Sequence, residues 1–311
     1  MSLLETVRAK VRALRLYFRS GDLFREALAD SFRAWWFPFW GNGTFKPRNG
    51  TRLLQVPREY WTMLPTACRL LLFGAHPEWR GERVEVALGQ YRFVSAPLDK
   101  SLYILREIFI DDVYRLRDLN LNGQVVLDVG AHIGDSSVAF AARGASVHAF
   151  EPLPMLQPYL RDNVVLNGMA DRIKIHPVGL SGRTETVHIL AKVSGTAGTA
   201  TLGRKNGRIG KETVEQEIRL VSALGYLTEH GITHADILKL DCEGCEYELL
   251  ADNSLLKLLQ PHSIILEYHR GGDGLHKFLE ANGFVVERPE RENQVGYLYA
   301  ERARTKAQAR L

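Results

Sequence analysis

The stretch Val126-Leu127-Asp128-Val129-Gly130-Ala131-His132-Ile133-Gly134-Asp135-Ser136 is an apolar run carrying one acid, followed by two glycines four residues apart. Small residues come next, at Ser137, Ala139, Ala141 and Ala142. The pattern reads as a buried strand, a tight turn and a helix. Glycines in such a turn let backbone approach a ligand without a Cβ in the way, and the helix start offers N–H groups that lack partners. The spacing is G-x-x-x-G, not the G-x-G-x-x-G that seats a pyrophosphate. Asp128, just before the turn, is a poor neighbour for a diphosphate but suits a ligand carrying an ammonium group. The next β-rich run, Ser146-Val147-His148-Ala149-Phe150, ends on Glu151, 21 residues after Gly130. An acid there can accept hydrogen bonds from both hydroxyls of a ribose. Strand, glycine turn, helix, strand and acid describe half of a nucleoside-binding sheet.

Outward from this core, β-rich runs alternate with helical ones. They are Ile173-Lys174-Ile175, Asp236-Ile237-Leu238-Lys239-Leu240 and Ser263-Ile264-Ile265-Leu266, with a final pair at Phe284-Val285-Val286 and Val295-Gly296-Tyr297-Leu298-Tyr299. Nearly continuous apolar strands separated by helices predict a parallel sheet covered on both faces, and the final pair predicts an antiparallel finish. Ligands on such sheets bind at the carboxyl ends of strands, where the strand order reverses. Upstream, Arg83–Leu88, Gly89-Gln90 and Tyr91–Val94 predict a hairpin, and residues 101–117 an amphipathic helix. Residues 194–213 have neither helical nor strand period and are expected to form a loop or hairpin over the site.

The chemistry is expected at Lys239-Leu240-Asp241-Cys242-Glu243-Gly244-Cys245-Glu246 and at Glu267-Tyr268-His269-Arg270, two clusters at the ends of neighbouring strands. Acids gathered there are costly unless solvated or paired. His269 is the natural general base by its ordinary pKa, with Asp241 or Glu243 as the alternatives and Glu267 beside them. Lys239 is available to pair with an acid. Asp241, Glu243, Glu267 and His269 are an oxygen-rich set of the kind Mg²⁺ uses, but their spacing is not diagnostic and no metal is expected. Cys242-x-x-Cys245 has no second pair to complete a zinc site and reads as two small buried residues.

LDVGAHIGDSS, HAFEP, NVVLNG, ILKLDCEGCEYELL, IILEYH and a closing GF occur in that order. In these motifs the chain resembles the FkbM-type S-adenosylmethionine-dependent methyltransferases over roughly residues 100–300. The resemblance implies the class I methyltransferase fold, a Rossmann-like α/β architecture with a seven-stranded, mostly parallel sheet and an antiparallel last strand. It implies S-adenosylmethionine as cofactor, with Asp128, Gly130 and Gly134 around its methionine part, Glu151 on the ribose and Val178-Gly179-Leu180 near the adenine. The expected cofactor set is Asp128, Gly130, Ala131, His132, Gly134, Asp135, Ser136, Glu151, Pro152, Gly179 and Asp241. His132 serves equally well as a residue that stabilises the turn. The D-x-E-G-x-E and E-x-H motifs correspond to Asp241, Glu243, Glu246, Glu267 and His269, with cysteines at the family's small or aliphatic positions. The acid common to the wider fold at the end of the third strand is missing, and Pro177-Val178-Gly179 stands there.

Composition differs along the chain. Residues 1–100 hold 16 Lys+Arg against 9 Asp+Glu, whereas residues 101–311 hold 24 against 27, and all five tryptophans fall in the first 80. Residues 3–19 predict a basic amphipathic helix and a second helical run ends at Pro38, after Phe32, Trp35, Trp36 and Phe37; residues 41–58 read as loop. The expected organisation is a helical, basic, aromatic-rich extension over 1–80, a hairpin and lead-in helix over 81–120, the methyltransferase domain over 121–303 and a charged tail over 304–311. The aromatics suit a small core or homodimer contact, a peripheral membrane contact through residues 1–40, or a stacking platform for glycan or nucleic acid. The modest positive charge argues against nucleic acid as a partner. No stretch is apolar enough for a spanning helix, no secretory signal is recognisable, and three cysteines at irregular spacing suit a reducing compartment, so a cytoplasmic, at most membrane-peripheral, location is expected. The function expected is methylation of a hydroxyl on a sugar, a lipid-linked glycan or a secondary metabolite, with a small molecule or glycan as acceptor. An RNA methyltransferase is the alternative enzyme, resting on the basic front and Asn163-Val164-Val165-Leu166-Asn167. A non-catalytic nucleoside-binding or membrane-adaptor protein is the alternative from another class.

Overall fold

The computed structural model describes residues 44–45, 54–55, 66–67, 70–71, 73–81, 83–96, 101–192, 213–287 and 294–303. The expected helices before residue 40, the aromatic cluster, the loop within 194–212 and the charged tail lie outside them. The chain divides into two compact units, residues 1–113 with 194–196 and residues 114–193 with 197–311.

In the first unit, β1 (Thr44–Phe45) pairs with β2 (Leu54–Gln55) inside a region read as loop. Strands β3 (Ala75–Arg80), β4 (Arg83–Leu88) and β5 (Tyr91–Ser95) form an antiparallel sheet that includes the expected hairpin. Sequence reading misses β3 because it contains Pro77. Proline is tolerated there because β3 is an edge strand, paired with β4 alone. Helix α1 (Ser101–Phe109) buries Leu102, Leu105 and Ile108, and Phe109 packs against Tyr91 and Phe93. It stops well short of the expected residue 117. Asp112 and Arg115 take left-handed backbone, with φ of 54° and 55°, which no helix accommodates.

The second unit holds β6 (Val125–Val129), α2 (Asp135–Ala141), β7 (Ser146–Phe150), α3 (Gln157–Leu166), β8 (Ile173–His176), β9 (Gly179–Ser181), β10 (Glu185–Lys192), β11 (Thr213–Ser222), α4 (Ala223–Glu229), β12 (Ile237–Leu240), α5 (Glu246–Leu249), α6 (Ser254–Leu259), β13 (Ser263–Tyr268), α7 (Asp273–Ala281), β14 (Phe284–Glu287) and β15 (Gly296–Arg302). Seven strands make the main sheet in the order β14-β15-β13-β12-β6-β7-β8. All its pairings are parallel except those of β15, which runs antiparallel between β13 and β14. This is the expected class I methyltransferase arrangement. The central strands are buried on both faces: Val126, Leu127, Asp128 and Val129 of β6 and all four residues of β12 are inaccessible. That explains their nearly continuous apolar character.

A second sheet, β10-β11-β9, was not anticipated. Strands β10 and β11 pair antiparallel from Glu185↔Leu220 to Lys192↔Thr213, so Thr213 belongs to a strand rather than to the expected loop. Their inner positions Ile189, Ala191, Ile218 and Leu220 pack on Ile133, Leu153 and Leu156. An alternation of inner apolar positions is present in the sequence, at Val187, Ile189 and Ala191 and again at Ile218 and Leu220. Chain order reverses between β6, which leads to β7 and β8, and β12, which leads to β13. The carboxyl ends of these strands therefore flank the switch point.

Candidate active site

The turn after β6 is held entirely by protein. Gly130 and Ala131 both donate to the carbonyl of Phe150, at 3.0 Å each, and Gly134 donates to that of Ala131 at 2.7 Å. A Cβ on Gly130 would fall 1.8 Å from the carbonyl oxygen of Asp241, and one on Gly134 2.6 Å from Leu160 Cδ1. The glycines thus admit a neighbouring strand end and a helix side chain before any ligand. Both have positive φ, 86° and 85°. Asn163, fully buried on α3, donates from Nδ2 to the carbonyl of Ile133 at 2.8 Å, which gives that asparagine a structural task.

Asp128 is inaccessible. Its Oδ2 accepts from Ser136 Oγ (2.7 Å) and Ser137 Oγ (2.6 Å), and its Oδ1 lies 3.0 Å from Nζ of Lys239. Lys239 is equally buried and donates to the Gly130 carbonyl at 2.6 Å. Burial works against its charge, but Asp128 and Asp241 outweigh that and hold its pKa above the usual lysine value. His132, with φ 52°, turns Nδ1 to Asp135 Oδ2 at 3.1 Å, and Asp135 Oδ1 accepts from the Ser136 amide at 2.7 Å. Asp128, Asp135 and Ser136 are thus tied by hydrogen bonds to one another's neighbours within the turn and the start of α2.

Glu151 ends β7 and is 5% exposed. Its Oε2 accepts from the His132 amide (3.0 Å) and its Oε1 from the Leu153 amide (2.9 Å). Burial raises its pKa to about 7 despite the opposing pull of those two N–H groups. Among the described residues each oxygen accepts a single bond, although carboxylate oxygens have capacity for more. A buried carboxylate with acceptor capacity to spare fits the two hydroxyls of a ribose. Nearby, Pro152 is half-buried, and a Cβ on Gly179 would meet Leu220 Cδ2 at 2.7 Å and Pro152 Cγ at 3.3 Å.

Across the switch point lies the acidic cluster. Asp241 Oδ2 accepts from the hydroxyl of Tyr114 at 3.2 Å, and its Oδ1 is 4.0 Å from His269 Nε2. Glu243 Oε2 is 3.5 Å from the same Nε2. On the other side of the ring, Nδ1 lies 3.2 Å from Oε1 of Glu246, a carboxylate with 0% exposure whose Oε2 accepts from the Gly244 amide at 2.8 Å. Acceptor atoms of Asp241, Glu267 and His269 lie within 4.8 Å of one another. The positive charge these acids gather around is the His269 imidazolium. Burial disfavours that charge, but the hydrogen bond with Glu246 and the charges of Glu243, Asp241 and Glu267 prevail and raise the pKa to about 9. His269 is therefore protonated at neutral pH, contrary to what its ordinary value suggests.

Sequence reading missed three features of the cluster. Tyr114 is buried, stacked on Phe140 and edge-on to Tyr297, and burial with the nearby Asp241 charge keeps its hydroxyl protonated as a donor. No local pattern marks it. Glu246 stands in the acidic motif and suits an ion-pair network with Lys239 and Glu267, but its pairing with His269 Nδ1 is not marked in the sequence. Cys242 and Cys245 are joined in a disulfide with Cα atoms 5.5 Å apart, which corrects their reading as merely small residues. Between them, Glu243 has φ 58° and Gly244 φ 117°, and a Cβ on Gly244 would strike Arg270 Nη2 at 2.4 Å.

A seven-stranded sheet in this order, with an acid ending its second strand and a glycine turn at its switch point, defines the class I S-adenosylmethionine-dependent methyltransferases. The chain belongs to the FkbM methyltransferase family: residues 128–286 match the model of the methyltransferase FkbM domain. S-adenosylmethionine is the cofactor of this domain. Among similar proteins is the methyltransferase sdnD of Sordaria araneosa, 30% identical over 175 residues, or 48% of this chain and 67% of that protein. The 31-O-demethyl-FK506 methyltransferase FkbM of Streptomyces tacrolimicus is 27% identical over 213 residues, 59% of this chain and 82% of that protein. The AMB antimetabolite synthetase AmbE of Pseudomonas aeruginosa is 28% identical over 240 residues, 63% of this chain, which spans only 11% of that synthetase. A crystal structure of a methyltransferase FkbM from Methylobacillus flagellatus superposes with a TM-score of 0.42 at 14% identity, covering 79% of this chain and 55% of the other. Among the described residues, no helix is long and apolar enough to cross a membrane.

Proposed function

We propose that the protein transfers a methyl group to a hydroxyl of a small molecule, such as a sugar, a lipid-linked glycan or a secondary metabolite. The observation that carries this reading is the environment of His269: its Nδ1 is held by buried Glu246, and its Nε2 faces Asp241 and Glu243 at a strand end beside the glycine turn. S-adenosylmethionine supplies the methyl group on a sulfonium, for in-line displacement by the acceptor oxygen. In our reading Glu151 accepts the ribose hydroxyls, and the backbone from Gly130 to Gly134 lies along the methionine part. Asp128 and Lys239 keep that turn and the Asp241 turn in register. Asp241 and Glu243 orient the acceptor hydroxyl, and Nε2 of the neutral form of His269, which grows as pH rises towards 9, takes its proton, with Glu246 holding the ring in place. A relative named for 31-O-demethyl-FK506 methylation supports a small-molecule hydroxyl as acceptor.

The test begins with calorimetric titration of S-adenosylhomocysteine, with NAD⁺ as competitor and Glu151→Ala as control. Micromolar binding that collapses in the variant and ignores NAD⁺ supports the reading, and a preference for NAD⁺ overturns it. With an acceptor in hand, His269 as base requires transfer to speed up with pH and level off near 9, its own pKa. A rate flat from pH 7 to 9 would assign the proton to a carboxylate instead.

A further inference from the structure

We infer that Cys242–Cys245 is a reversible thiol–disulfide site that sets the shape of the acidic turn facing His269. The inference rests on the reading of residues 241–246 as part of the active site. The two cysteines enclose only Glu243 and Gly244, and both enclosed residues have left-handed backbone, φ 58° and 117°. For Gly244 that is ordinary. For Glu243, an L-residue with a long side chain, it is costly, and a short covalent ring is a direct means of enforcing it. The same two residues carry the contacts that shape the cluster: Glu243 Oε2 faces His269 Nε2 at 3.5 Å, and the Gly244 amide donates to Glu246 Oε2 at 2.8 Å. Both cysteines are partly buried and pack against the core beside this turn.

In the reducing direction, a thiolate of a low-molecular-weight or protein thiol attacks one Sγ, and the S–S bond breaks as a mixed disulfide forms. A second thiolate then displaces the protein sulfur. The donor leaves as its disulfide, two electrons enter the cysteine pair, and two protons end on Cys242 and Cys245. Released from the ring, Glu243 is free to leave the left-handed region, taking its carboxylate from His269 and loosening the Gly244–Glu246 bond. The pair therefore couples thiol redox state to the geometry of the proton-handling group.

Thiol counting and NMR on the full chain test this. The chain has three cysteines, so treatment with glutathione disulfide is expected to leave one thiol per chain and dithiothreitol to restore three. At fixed pH, reduction is expected to shift the His269 imidazole ¹⁵N resonances and to speed hydrogen exchange at the Gly244 amide at least tenfold. A Cys242→Ser/Cys245→Ser variant should show the reduced-state spectrum with or without oxidant, and Cys242→Ser alone serves if the double variant does not fold. Three thiols persisting under glutathione disulfide, or identical His269 and Gly244 signals in both states, would overturn the inference. Thiol counts do not depend on cofactor binding, so this failure and failure of the methyl-transfer reading are separately visible.

Discussion

The turn after β6 and the turn after β12 meet at one edge of the sheet, yet they treat charge in opposite ways. Around Gly130 the carboxylates have partners within the turn: Asp128 has Lys239 and two serine hydroxyls, and Asp135 has the His132 ring and a backbone amide. Asp128, Lys239, Asp135, Ser136 and Ser137 are almost completely buried, and His132 is partly buried. Around His269, four carboxylates share one imidazole, and Asp241 and Glu243 remain 26% and 36% exposed. A satisfied, dry network fixes a shape. An over-supplied, half-wet one leaves acceptor capacity for something that arrives later. On this contrast the first region suits a scaffold, and the second suits the proton transfer we propose for His269.

Substitutions can break the contrast. Lys239→Met leaves Asp128 buried without its counter-charge and is expected to cost about 3–5 kcal/mol in urea denaturation. Glu243→Gln removes one of several crowded acids at a half-exposed position and should change stability by no more than about 0.5 kcal/mol. Equal costs for the two would show that the clusters are not different in kind. Gly130→Ala comes next. Its Cβ would overlap the Asp241 carbonyl and its φ would be left-handed, so a loss of about 3 kcal/mol is expected from thermal melting. Gly134→Ala meets only the end of Leu160 and should lose less, about 1–2 kcal/mol from backbone alone.

Glu246→Gln probes the other region. It removes the charged hydrogen bond on Nδ1, worth roughly 1.5–3 kcal/mol, and should bring the His269 pKa down from about 9 towards 6.5 in an NMR titration. Because the folded pKa lies above the unfolded one, the stability His269 contributes is complete below pH 6.5 and is lost as pH rises through 9. The wild-type protein should therefore lose stability over that window, and the variant should lose less. An unchanged His269 pKa would mean that Glu246 does not orient the ring.

The scaffold region was largely legible because its instructions are local. The apolar run, two glycines and small helix residues from Val126 to Ala142 each report a backbone requirement, and with Glu151 they describe half of a nucleoside-binding sheet, while the class I arrangement is what the family resemblance implies. The order of the runs likewise gave the sheet and its antiparallel finish. What could not be read was what arises between distant segments. Tyr114 reaches Asp241 from far upstream, and Lys239 chooses Asp128 over nearer acids only because β12 lies beside β6. The His269 pKa inverted for the same reason. An isolated histidine suggests a value near neutrality, and only the fold reveals four carboxylates around it. The β10–β11 hairpin is a different case, since its alternation was on the page but was overshadowed by the glycine-rich segment between the strands.

Glu151 belongs to neither extreme and so sharpens the contrast most finely. It is buried like Asp128, but its carboxylate accepts from two backbone amides, and burial raises its pKa to about 7. An unfolded glutamate titrates at 4.5, so between pH 4.5 and 7 the folded chain holds a proton the unfolded chain has lost, and stability falls as pH rises through that range. Ribose hydroxyls donating to the carboxylate favour its ionised form. Affinity for S-adenosylhomocysteine should then strengthen from pH 6 to 8, by roughly tenfold for each unit the pKa drops on binding. Near pH 7, binding should also release a fraction of a proton, seen as a calorimetric enthalpy that varies with the ionisation heat of the buffer. Glu151→Gln should weaken binding and abolish both effects. If affinity in the wild-type protein is flat across this range, the carboxylate is already ionised without ligand, and Glu151 belongs with the satisfied scaffold rather than with the groups that wait for a partner.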